Sequence, residues 1–184
     1  MRSRPAEEGP LHEGSPRRLA SRIAAELVVL AAGGDDGDLQ SRLTRISTNY
    51  AWRGIEELAA FYLFVAQKSV PGHLNGAAGE SADSFLEMLW EETWANLATV
   101  AGTQTFAERA SFAELWYRRK HQYAARERMY RREGEALDGT VIFELYDNLR
   151  AVGDEIRVEV LAAIQLERLF EVIAEVFGAQ ADPS

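Results

Sequence analysis

The chain has 184 residues with 29 acids against 20 bases, a formal charge of −9, and no cysteine. That length buries a core without staples, and the missing thiols exclude disulfides, thiolate zinc sites and cysteine nucleophiles. The acidic balance disfavours indiscriminate binding to nucleic acid or acidic membranes, since long-range repulsion opposes encounter. Only Lys68 and Lys120 are lysines, a bacterial-like, arginine-rich and alanine-rich bias.

Residues 1–15 hold two prolines and two glycines among charges. They read as a disordered tail. The arginines of this end are followed by no apolar run of signal-peptide length, and the longest runs, such as Leu58 to Ala66, fall far short of a membrane span. A cytoplasmic protein with no membrane contact is expected.

Pro16 suits an early helical position, and Leu19, Ile23, Leu27 and Leu30 follow at helical spacing before GGDDGD at 33–38 ends the helix. Asp38 is placed to cap a short helix carrying Leu39, Leu43 and Ile46. A third helix runs from Tyr50 to about Val70 and is so apolar that it belongs at the centre of the core. PGHLNGAAGES at 71–81 is the clearest internal break. Ser81 or Asp83 caps the next helix, which carries Phe85, Leu89, Trp90, Trp94 and Leu97 and ends near Gly102. Thr103 or Thr105 starts another, reaching to about Gly134 or Gly139.

The last segment, Asp138 to Gly178, reads as one nearly continuous helix. At about 1.5 Å per residue it would span roughly 60 Å, longer than a compact domain of this size is wide. It either bends, with Gly153 as a hinge, or packs on another chain. Beyond Val158 its apolar residues cover more than one face, so a self-associating surface of Leu161, Leu166, Leu169, Phe170, Ile173 and Phe177 is expected. The expected architecture is all-α, a bundle of five or six helices with a long C-terminal helix, forming a single domain over 16–178 with a disordered end at 179–184.

The stretch Trp116 to Arg132 interleaves seven basic residues with Trp116, Tyr117, Tyr123 and Tyr130. By composition it resembles a surface that stacks bases between phosphate contacts. Arg118, Arg119, Lys120, Arg126 and Arg131 are its candidate anion or nucleic-acid contacts. The aromatics nevertheless fall seven residues apart, with Phe112 on the same line, which draws one buried seam with charges distributed around it. His121-Gln122-Tyr123 resembles the His-x-Tyr ending of the all-helical HEPN ribonucleases. The positions where that family has its arginine are here Trp116, Leu115 and Glu114, so no catalytic role is carried over.

Glu135-x-x-Asp138 and Glu144-x-x-Asp147 flank Gly139 in a way that suits magnesium held over nucleotide phosphates. They lack the full acidic run and spacing of the MazG-type pyrophosphohydrolases. No Glu-x-x-His pair, phosphate-binding Gly-Lys loop or nucleophile elbow occurs. A helix-turn-helix reading is opposed by Trp52-Arg53-Gly54-Ile55-Glu56-Glu57-Leu58, which is acidic and bulky where a recognition helix offers exposed bases. A small-ligand pocket among Trp52, Phe61, Trp90 and Trp94 is also open. The expectation is a non-enzymatic interaction or regulatory module, a homodimer or partner of another protein, with no catalytic residues, metal or cofactor. Nucleic-acid or anion binding, and magnesium-dependent nucleotide processing, are the alternatives.

Overall fold

The computed structural model describes residues 15–32, 48–74, 81–101, 109–130, 139–150 and 165–178. Among them it is all helical: α1 (Pro16–Ala31), α2 (Thr48–Leu74), α3 (Ala82–Ala101), α4 (Arg109–Tyr130), α5 (Gly139–Arg150) and α6 (Leu166–Gly178). Both expected tails, the helix proposed for 38–46, and Glu135, Asp138 and Arg131 lie outside the described residues.

Local chemistry sets two helix starts. The Ser15 hydroxyl accepts a hydrogen bond from the Arg18 amide, with Pro16 following in the first turn. The Ser81 hydroxyl accepts one from the Ser84 amide at 3.2 Å, satisfying a donor that the first turn leaves orphaned. One boundary departs from expectation. α2 continues through Pro71 and Gly72 to Leu74, so the break after it begins later than the proline suggests. Val70 just before the proline is fully buried, and His73 just after it stacks on Phe177 at 5.6 Å. Tertiary packing thus outweighs the lost backbone bond.

α2 is the axis of the bundle and packs on each of the other five described helices. Its residues 54–66 are buried without interruption. More than three turns are therefore covered on every side, which explains a composition apolar all round. α4 runs parallel to it, since Glu57 meets Arg119, Phe61 meets Tyr123 and Lys68 meets Glu127 in ascending order. α6 is parallel as well: Tyr62 meets Gln165 at its start and His73 meets Phe177 near its end.

The continuous C-terminal helix is not confirmed. Two helices of 12 and 13 residues occupy its ends, and 151–164, with Gly153 and Leu161, lie outside the described residues. The two have different neighbours, α5 resting on α2 and α4, α6 on α1 and α2. This division also answers the breadth of the apolar surface. Leu169, Ile173 and Phe177 are buried within the chain's own core, Phe177 against Phe85 at 5.7 Å, and Leu166 packs against its edge.

Two carboxylates, Glu56 and Glu57, fall inside the buried stretch of α2. Glu57 is paired with Arg119, whereas Oε1 of Glu56 has no hydrogen-bond partner. Burial pushes the Glu56 carboxyl up from 4.5 to about 7; the Glu57 carboxylate adds to the rise, while Trp52 and Arg53 oppose it. The folded state therefore holds this proton to a higher pH than the unfolded chain, and the associated stability is complete below pH 4.5 and lost as the pH rises through 7. Relative to wild type, Glu56→Gln should flatten the decline over that window, by at most about 3 kcal/mol in urea unfolding. Parallel pH profiles for the two proteins would contradict the assignment.

Candidate functional site

α4 has two working faces. One is a seam of Phe112, Trp116, Arg119, Tyr123 and Glu127, all buried, at the 4-3-4-4 spacing of a core-facing stripe. Tyr123 fills its middle, edge-on to Phe61 at 5.7 Å and tilted on Phe64 at 5.3 Å. Its hydroxyl is buried without a hydrogen-bond partner, and burial raises its pKa.

Arg119 is the polar member of the seam. Its Nε and Nη2 donate to the two carboxylate oxygens of Glu57 at 2.7 and 2.5 Å, and Nη1 donates to Oε1 of Gln122 at 2.6 Å. The planar fork thus binds the carboxylate through both oxygens. Burial alone would lower the Arg119 pKa, but the hydrogen bonds and charge of Glu57 outweigh it and the net direction is up. Lower on the same seam, Lys68 pairs with Glu127 at 2.7 Å. Toward α5, Arg126 faces Glu144 at 3.5 Å and Asp147 at 4.0 Å.

Part of the basic helix is therefore engaged within the protein. Of the five bases expected to contact an anion, Arg119 is locked to Glu57, Arg126 lies against two acids, and Lys120 sits over the Trp116 ring at 5.8 Å. Arg118 is exposed. His121 is exposed while Tyr123 is in the core, so the His-x-Tyr triplet is split between solvent and interior. Glu144 and Asp147 face a guanidinium, and among the described residues no group of three or more His, Asp or Glu is arranged to hold a metal ion. Burial of Glu56 and Glu57 removes the α2 segment from any groove-reading role.

The second face of α4 closes a cleft with α2 and α3, of about 400 Å³. Leu63 and Gln67 of α2 form its back, and Leu86 and Trp90 of α3 one wall. Trp116, Tyr117 and Lys120 of α4 form the opposite wall. α3 adds Asp83, Glu87 and Glu91, four residues apart and so on one side of the helix. Of the four aromatics considered for a pocket, only Trp90 lines this one. Phe61 is in the core, Trp94 stacks on Phe112 at 6.0 Å, and Trp52 packs against the core.

Fold and site together define a helical bundle with an aromatic, acid-rimmed cleft. No protein-family model, no curated protein and no solved structure matches the chain.

The Glu57–Arg119 pair makes a separable prediction. Removing either partner leaves a buried charge uncompensated, so Glu57→Gln or Arg119→Met should each cost about 3–5 kcal/mol in chemical unfolding. The double variant should recover most of that loss. Additive losses would show that the two side chains do not interact.

Proposed function

We propose that this chain is a non-catalytic, ligand-responsive regulatory module, and that its working surface is the cleft between α2, α3 and α4. The observation carrying this reading is the cleft itself. Its volume of about 400 Å³ falls in the range of small-molecule sites, and its walls combine aromatic faces with a few charged groups, the usual composition of such sites. α2 and α4 are joined by a buried ion pair and core aromatics, and α3 packs on α2 and stacks Trp94 on Phe112 of α4, which gives a ligand a preformed seat. Leu86 is half-buried in its wall, so Leu86→Trp should narrow the cleft without disturbing the seam. Native mass spectrometry of protein isolated from its own cells should find a bound small molecule on wild type and none on Leu86→Trp. The same ligand-free mass for both would contradict the reading.

Self-association is a second part of the proposal, carried by one residue. Among the described members of the expected contact set, Phe170 is the one that remains open, at 39% exposure. Light scattering at micromolar concentration should give a dimer that Phe170→Glu converts to a monomer. A wild-type monomer would remove this part.

A further inference from the structure

We propose that the cleft between α2, α3 and α4 binds an organic cation with an apolar body, a protonated amine or quaternary ammonium. The inference rests on the cleft being the working surface and names the chemistry of what it takes.

Charge is the first argument. α3 contains no basic residue, and four of its residues are acids. Glu92 faces away to an ion pair with Arg17 at 3.1 Å. The other three, Asp83, Glu87 and Glu91, line the cleft, where Lys120 is the one base among the described lining residues. Asp83 and Glu87 have no ion-pair partner among the described residues, and like charges four residues apart on a helix repel. A bound cation relieves that repulsion, while a carboxylate or phosphate ligand would add to it.

The aromatic walls are the second argument. An indole face attracts a cation through its quadrupole, and the attraction grows where water is excluded. Lys120 already demonstrates the contact, its Nζ lying 5.8 Å from the centre of the Trp116 ring. Trp90 stands on the opposite wall, and Tyr117, 62% exposed, stands at the rim. The apolar body of a ligand would lie between these rings, with its charge toward Asp83 and Glu87. A bare metal ion is not served by such walls, and the described residues hold no metal-ligating cluster. The protein's net charge of −9 favours cationic ligands in the encounter as well.

The test uses three probes that share one body: phenylbutyltrimethylammonium, phenylbutanol and phenylbutyrate. Binding to the full chain is followed by tryptophan fluorescence and calorimetry. The cation should bind roughly tenfold more tightly than the alcohol, with the acid weakest, a preference that shrinks as salt rises. Asp83→Asn with Glu87→Gln, both at exposed positions, should erase the preference while circular dichroism stays unchanged and the melting temperature does not fall. Tyr117→Ala should weaken the cation and the alcohol alike. Equal binding of cation and alcohol, lowered by Tyr117→Ala, would overturn the cation class yet leave the cleft as a ligand site. Tightest binding by the acid would overturn it in the same way. Binding by none of the three, or binding insensitive to all these substitutions, would overturn the inference and the cleft reading together.

Discussion

A helix buried on every side has no room for an unpaired carboxylate, and α2 carries two within its covered stretch. Taking a carboxylate out of water costs several kcal/mol, and the chain meets that cost in two ways. Glu57 receives both arms of the Arg119 fork. Glu56 has no such partner and keeps its proton to about pH 7. The first solution reaches across to another helix, so it fixes which face of α4 meets α2 and in what register. Tyr123 one turn on, and Glu127 a further turn on, follow from that register.

Once Arg119 is directed inward, the rest of α4 is determined. Trp116 shares the seam but sits where the seam borders the cleft, so it is buried and a lining residue at once. Tyr117 and Lys120 then stand on the cleft side, opposite the acids of α3. The ion pair is thus a positioning device for the cleft although it lies outside it. Part of the basic stretch is also drawn into the bundle, because Arg119 is held by Glu57 and Arg126 faces Glu144 and Asp147.

The helical class and the central place of α2 are legible in the sequence, as are the early-helix place of Pro16 and the capping place of Ser81, because each rests on local spacing or local hydrogen bonds. The position of Arg119 was legible in principle. It lies three residues after Trp116 and four before Tyr123, on the stripe those aromatics draw. A charge on an apolar stripe is easily assigned to solvent, and only the buried acid on α2 gives it a reason to be there. Pro71 does not end α2, because the packing of Val70 and His73 outweighs the broken hydrogen-bond ladder. The apolar breadth of α6 pointed to a partner chain because sequence does not show how many neighbours a helix has; α1 and α2 flank it, and Phe85 of α3 reaches Phe177. The cleft is the least legible feature, since its walls come from three helices whose approach no local spacing encodes.

The central claim is that α4 is held to α2 by the buried Glu57–Arg119 pair and forms one cooperative unit with it. Native-state hydrogen exchange resolved by residue tests this most directly. In wild type, the amides around Tyr123 should exchange with the same opening free energy as those around Phe61. In Arg119→Met, α4 should open at a distinctly lower free energy while α1 and α6 retain their protection. Independent opening of α4 in wild type, or equal loss of protection across all helices in the variant, would contradict the account.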